Sequence, residues 1–217
     1  MLVEIYSDLV CPWCYIGESP IDPAQTVFPH RDQVEVVFRP FQLDPGAPVP
    51  GVPLLDYLEG RYGARARSMM ERAGDAAESE DLAVDWERAQ VANTRDAHRL
   101  LRLAAWKHGA RVQRTLAKAL FRAHFAEGGD LSDRQLLTGL AEREGLDPQE
   151  VRDFLASDEG VEATQNEMER GRQIGISSVP TFVFQGRWGI QGAQAPETFA
   201  KMLEDVLERM EEAPDHA

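Results

Sequence analysis

Ser7-Asp8-Leu9-Val10-Cys11-Pro12-Trp13-Cys14-Tyr15-Ile16-Gly17 decides how this chain is read. The residues before it, Leu2-Val3-Glu4-Ile5-Tyr6-Ser7, are β-rich and end in Ser-Asp, the composition of a short strand entering a turn. Pro12 suits a first helical position, where its missing N–H costs no hydrogen bond, so both cysteines fall at a helix start. Tyr15 to Phe28 then reads as helical, with Pro20 and Pro23 shifting, kinking or breaking it. Gln33-Val34-Glu35-Val36-Val37-Phe38-Arg39 reads as a second strand. Strand, helix and strand in this order imply parallel pairing with a right-handed crossover.

A Cys-x-x-Cys at a strand–helix junction has a chemical rationale. Unpaired N–H groups and partial positive charge at the helix start favour a thiolate at Cys11. Two intervening residues bring the second sulfur within disulfide reach, so Cys11 is expected to attack a substrate disulfide and Cys14 to resolve the mixed disulfide. Cys11 is expected at the exposed tip and Cys14 deeper in the first turn. Two bland readings compete: half of a metal site, and a pair of inert core cysteines. Against the first, His30, His98, His108, His124 and His216 show no ligand-type spacing, so no metal is expected. Against the second stands a further signal, Ser177-Ser178-Val179-Pro180-Thr181-Phe182. A proline just before a strand cannot donate to the ladder, and a cis bond there would leave the Val179 backbone open to pair with an extended peptide. Pro12, Trp13, Val179 and Pro180 are therefore the expected substrate-binding residues beside Cys11 and Cys14.

Outward from the motif the pattern changes. Leu43 to Pro53 carries four prolines and two glycines and ends regular structure. Residues 54–174 have helical apolar periodicity, for example Ala97, Leu100, Leu101 and Ala104, or Val112, Leu116, Ala119, Leu120 and Ala123. Ser132 with Gln135, and Asp147-Pro148 with Glu150, read as capping boxes, and glycines 109, 128, 129 and 145 as helix stops. The acidic stretch Asp75 to Asp81 reads as a solvated connection. Asn93 or Thr94 reads as a helix cap, and Asp8 as a turn carboxylate, with capping of the first helix or tuning of the thiols as the rival roles. Phe41 and Gln42 read as core, and His98 has only a minor claim as a proton shuttle. Thr181–Phe184 and Trp188–Ile190 flank the glycine-centred turn Gln185-Gly186-Arg187, a tight hairpin. A final amphipathic helix starts near Pro196, with Phe199, Met202, Leu203, Val206, Leu207 and Met210 on one side, and the last few residues are expected to fray.

Composition narrows the function classes. The 217 residues have a formal net charge of −14, which leaves no basic field to collect nucleic-acid phosphates. Two cysteines cannot supply a four-thiolate cluster or a disulfide scaffold. No basic leader or long apolar run is visible, so the expected location is cytoplasmic, with no membrane partner.

The stretches Ser7–Gly17, Arg39-Pro40-Phe41-Gln42-Leu43, Asn93-Thr94-Arg95-Asp96-Ala97-His98-Arg99-Leu100 and Gly175–Phe184 resemble the DsbA-type branch of the thioredoxin superfamily, and within it FrnE-like members. The resemblance covers nearly the whole chain. It implies an α/β chain with a thioredoxin fold and an inserted all-helical domain. Residues 1–43 and 175–217 would form the discontinuous thioredoxin-like domain and 44–174 the insertion. It also implies protein-disulfide oxidoreductase activity with Cys11 as nucleophile, Cys14 as resolving thiol and Pro180 as a facing cis-proline. No cofactor beyond the dithiol is expected, with glutathione as a candidate reductant and disulfide-containing proteins or small thiols as substrates. Pro12-Trp13 replaces the Pro-His dipeptide of strongly oxidising DsbA proteins, which points toward reduction or isomerisation. Similar kappa-class glutathione transferases and 2-hydroxychromene-2-carboxylate isomerases have serine where this chain has Cys11. They supply one rival, a glutathione-dependent isomerase of a small aromatic or polyketide-like substrate. The other rival is a chaperone-like binding protein.

Overall fold

The computed structural model describes residues 1–212; the expected fraying of the last few residues, and His216, lie outside them. Strand β1 (Leu2–Ser7) leads to helices α1 (Pro12–Glu18) and α2 (Ile21–Val27) and strand β2 (Glu35–Pro40). Next come β3 (Val52–Pro53), α3 (Leu54–Tyr62), α4 (Arg65–Ser79) and β4 (Gln90–Val91). Five helices follow: α5 (Arg95–His108), α6 (Ala110–Phe125), α7 (Arg134–Arg143), α8 (Pro148–Ala156) and α9 (Val161–Gln173). Strands β5 (Thr181–Phe184) and β6 (Trp188–Gln191) and helix α10 (Pro196–Glu212) close the described chain.

The main sheet has the order β2-β1-β5-β6. β1 runs parallel to β2, with Ile5 opposite Phe38, and antiparallel to β5, with Ile5 opposite Phe182. The central strand thus ends, at Ser7, where the Cys-x-x-Cys turn begins. The expected helix over Tyr15–Phe28 is broken into α1 and α2 at Pro20, while Pro23 fits the first turn of α2. The β5–β6 hairpin turns through Gln185 and Gly186, both at positive φ (52° and 64°), closed by an Arg187 N–H to Phe184 carbonyl bond of 3.0 Å. Two positive φ values match the right-handed twist of the strands, and glycine adopts one at no steric cost. The exposed edge of β2 is covered by Gln113 of α6, whose buried amide donates to the Phe38 carbonyl (3.0 Å) and accepts from its N–H (2.9 Å).

Three local expectations are corrected. Asp75–Ser79 is the end of α4 rather than a solvated connection, because Ala66, Ala73 and Ala77 make a buried stripe while the acids face water. Helix α7 is capped by Asp133, which accepts from the Gln135 N–H at 2.8 Å, and Ser132 instead bonds Asp130. The insertion is helical except for a two-residue antiparallel ribbon, β3 with β4. The Asp147 cap of α8 is present, accepting from Gln149 and Glu150 N–H groups at 2.7 and 2.9 Å.

One core cluster runs from the sheet into α5–α8, joining Val3, Ile5, Phe38 and Phe182 to Leu100, Leu120, Leu140 and Leu155. It does not divide at residues 43/44 or 174/175. A small second cluster, Ala47, Leu54, Ala89 and Val91, lies under α3 and α4.

Candidate functional site

Cys11 is the residue that caps α1, with extended backbone (φ −89°, ψ 114°), and its carbonyl accepts from Cys14 N–H at 3.0 Å. Pro12 occupies the first turn, as its fixed φ permits. Both thiols are free and both are buried, Cys11 at 4% exposure and Cys14 at 2%. The expected difference in exposure is therefore small; what separates the two is what each faces. Cys11 lines a cleft, and Cys14 is sealed behind it. Burial pushes the Cys14 thiol well above its ordinary range, and the neighbouring Cys11 adds to the shift. The Ser7 hydroxyl and the Asp8 N–H act on the Cys14 sulfur in the opposite sense.

Opposite the dithiol, the Val179–Pro180 peptide bond is cis, and Cys11 Sγ lies 3.8 Å from the Val179 carbonyl oxygen. Thr181 Oγ1 donates to the Ser178 carbonyl (2.7 Å) and Gly192 N–H to the Pro180 carbonyl (2.8 Å), which ties this loop to the hairpin. Helix α1 can approach it only because residue 17 is glycine: a Cβ there would stand 2.9 Å from Pro180 Cγ. A second cis bond, Val49–Pro50, lies in the proline-rich segment and has no counterpart in the sequence reading.

The cleft, about 420 Å³, brings together Cys11, Pro12, Trp13 and Val179. Pro180 is buried and is not among the residues that line it. The facing wall comes from α3, α4 and the segment before β4, with Tyr57, Leu58, Met70 and Trp86. Sequence periodicity identified these as helix or loop residues and carried no sign that they meet Cys11. Three charged residues line the cleft, Asp8, Asp44 and Arg61. Arg61 pairs with Asp44 at 2.6 Å, and Tyr57 donates to the same carboxylate. The Tyr57 hydroxyl first, with further hydrogen bonds, holds the Asp44 carboxyl below its usual range.

Asp8 is 1% exposed and neither caps α1 nor sits free in a turn. Its Oδ1 accepts from Thr94 Oγ1 (2.8 Å) and lies 3.3 Å from His98 Nε2; its Oδ2 accepts from Leu43 N–H (2.8 Å). Asn93 Oδ1 receives the Arg95 N–H at 3.0 Å at the start of α5, and Gln42 reaches both Asn93 and Thr94. Three stretches far apart in sequence thus meet at Asp8, which lines the cleft together with Cys11. Phe41 packs beside Tyr6, Ile176 and Val179, the core role expected of it. Among the described residues, no group of three or more His, Cys, Asp or Glu is placed to hold a metal ion. No helix among them is long and apolar enough to cross a membrane.

A family model for the DSBA-like thioredoxin domain matches residues 2–204. The chain belongs to the DsbA-like thioredoxin-domain family. Its sheet and helices are accordingly a thioredoxin fold with a helical insertion. The crystal structure of a probable DsbA oxidoreductase from Streptomyces coelicolor is 36% identical, with a TM-score of 0.87 over 96% of this chain and 90% of that one. An uncharacterized protein of Bacillus subtilis is 25% identical over 94% of this chain and 96% of its own length. The cytosolic disulfide reductase DsbM from Pseudomonas aeruginosa, in a structure with glutathione, shares the fold at 19% identity. Its TM-score is 0.69, over 96% of this chain and all of that one. In this DsbA-like protein the two cysteines thus lie at the first strand–helix junction of the matched domain.

Proposed function

We propose that this protein is a thiol–disulfide oxidoreductase acting through Cys11 and Cys14. One observation carries the reading: two free thiols stand at a helix start, with Cys11 Sγ 3.8 Å from the Val179 carbonyl in an apolar cleft. The Cys11 sulfur attacks one sulfur of a substrate disulfide, that S–S bond breaks, and its electron pair departs on the leaving thiolate. Cys14 then attacks Cys11 in the mixed disulfide, releasing the second substrate thiolate and closing a Cys11–Cys14 disulfide. Two equivalents of an external thiol, with glutathione as the leading candidate, return the pair to the dithiol and leave joined as their own disulfide. The Val179 backbone and Trp13 hold an extended substrate segment across the cleft mouth. We assign net reduction or isomerisation in a cytoplasmic setting, with no metal or further cofactor. The Pro12-Trp13 dipeptide supports that direction, since it places no titratable cation between the sulfurs.

Reduction of insulin disulfides with single variants tests this. Cys14→Ala is expected to lose turnover and accumulate mixed disulfides at Cys11, while Cys11→Ala loses turnover without trapping. Trapping at Cys14 alone would reverse the roles, and activity retained without either thiol would end the reading. A redox titration placing the couple near strong oxidants would overturn the direction. The cleft volume also lies within the range of small-ligand sites, which favours glutathione-dependent isomerisation as the second reading. That reading predicts activity surviving Cys14→Ser.

A further inference from the structure

The chain before Cys11 borders two separate spaces. Asp8 lines the Cys11 cleft, whereas its neighbours Ser7 and Leu9 line a second cavity of about 250 Å³ that shares no wall residue with the cleft. This cavity lies between the ends of β1 and β2 and helices α5, α6 and α9. Its volume exceeds the roughly 150 Å³ that holds a benzene ring and falls short of the ~300 Å³ at which drug-sized sites begin. A single substituted ring is the guest of matching size.

Burial grades the wall from floor to mouth. Leu9, Phe38 and Leu101 are buried and make the floor apolar, with two polar groups among them. His98, 3% exposed, has Nε2 3.3 Å from Asp8 Oδ1, an oxygen that also accepts from Thr94. A carboxylate only accepts, so Nε2 carries the hydrogen and Nδ1 is an acceptor, to which no described residue donates. The Ser7 hydroxyl is buried and has no hydrogen-bond partner. Groups left this way lose the bonds they had in water, and a guest hydroxyl would restore them. The mouth is aromatic and charged. Trp106 is 67% exposed there, and Arg39 and Arg102 are partly buried beside it. Arg102 Nε donates to Glu167 at 3.0 Å, and Arg39 comes within 3.9 Å of the same carboxylate, which keeps the two guanidiniums together. Arg39 Nε donates to Glu4 at 2.7 Å. Among the described residues, neither guanidinium has a hydrogen bond at its terminal nitrogens.

We infer that this second cavity binds a small aromatic monocarboxylate with a hydroxyl on the side of the ring opposite the acid. The carboxylate sits at the mouth and accepts from terminal N–H groups of Arg39 and Arg102, whose planar forks suit it. Arg39 and Arg102 outnumber Glu167 on the wall, a local reversal of sign in a chain of net charge −14. The ring lies against Phe38, Leu101 and Trp106. The hydroxyl reaches the floor, donating to His98 Nδ1 and accepting from Ser7. A bare aliphatic acid would leave the apolar floor unfilled, and an uncharged ring would leave the guanidiniums to solvent. No bond is made or broken in this site, and it stands independently of the dithiol reading.

Calorimetric titration of the full chain with 4-hydroxybenzoate tests this, with one site per chain expected. Arg102→Gln should weaken binding by about tenfold or more, the scale of a lost charged hydrogen bond. The uncharged 4-hydroxybenzamide should lose as much on the wild-type protein, and benzoate, without the hydroxyl, should bind several-fold more weakly. Ala105→Phe places a ring in the cavity wall and should abolish binding. Arg61→Gln in the Cys11 cleft, and Cys11→Ala with Cys14→Ala, should leave the affinity unchanged. No binding to the wild-type protein, affinity retained in Arg102→Gln or in Ala105→Phe, or benzoate bound as tightly, would overturn the proposal. A loss confined to Arg61→Gln would place the probe in the Cys11 cleft and overturn it equally. Either cavity variant decides the matter if the other fails to fold. A protein that binds the probe as expected yet reduces no disulfide would overturn the dithiol reading and leave this site standing.

Discussion

Cys14 and His124 are both sealed from solvent, and burial drives each toward its neutral form by shifting the pKa in opposite directions. For Cys14 this favours the protonated thiol, which supports the proposed assignment of the first attack to Cys11, the sulfur that faces the cleft. For His124, burial lowers the pKa from 6.5 to about 4, despite a 3.2 Å contact between Nδ1 and the Gly129 carbonyl. Its folded pKa lies below the unfolded value, so between pH 6.5 and 4 the unfolded chain binds the extra proton. Stability is therefore full above pH 6.5 and falls on acidification through that window, by about 3 kcal/mol in total. Thermal unfolding from pH 7 to 4.5 should show this loss, and His124→Asn, which keeps an amide donor toward Gly129, should flatten it. A slope unchanged in the variant would assign the acid sensitivity elsewhere. At this scale the dithiol was legible because both cysteines lie within four residues at one strand end. The Asp8–Thr94–His98 contact was not, because no local pattern reports a meeting of groups 86 and 90 residues apart.

Elements whose signals are periodic or steric were legible: β1, β2, the β5–β6 hairpin and α10 follow from alternation, turn chemistry and the 3.6-residue repeat. Helix α4 was obscured because its buried face is alanine, too weakly hydrophobic to outweigh the acidic residues beside it. The α7 cap shifted by one residue because Ser132 and Asp133 are both good caps, and the pull of Asp130 on Ser132 leaves the role to its neighbour. The contact of α1 with the Pro180 loop is a prediction at the same scale. Gly17→Ala inserts a methyl 2.9 Å from Pro180 Cγ and also near the Ala193 backbone and the Phe182 ring, so the loop must move. Disulfide reduction should fall several-fold while helix content is unchanged. Equal activity in the variant would show that the loop tolerates displacement, against the role given to Val179.

Across the whole molecule, burial is uneven. Helices α5 and α6 bury eight residues each, against three in α4 and one in α3. Amide hydrogen exchange should therefore be fastest, among the regular elements, in α3, α4, β3 and β4, and slowest in β1, β5, α5 and α6. Uniform protection across these sets would contradict the division into a large core and a small one. The division was not legible in the sequence, which showed an insertion of helices but not that most of them share the sheet's own core. It has a consequence for how such a protein can diversify. The α3–α4 part of the wall facing Cys11 across the cleft packs on the small core of Ala47, Leu54, Ala89 and Val91, while Trp86 beside it also packs on the main core. The α3–α4 hairpin is thus the exchangeable part: under the proposed function, a graft there is expected to change which disulfides the cleft admits while the Cys11–Cys14 turn keeps its foundation in the main core.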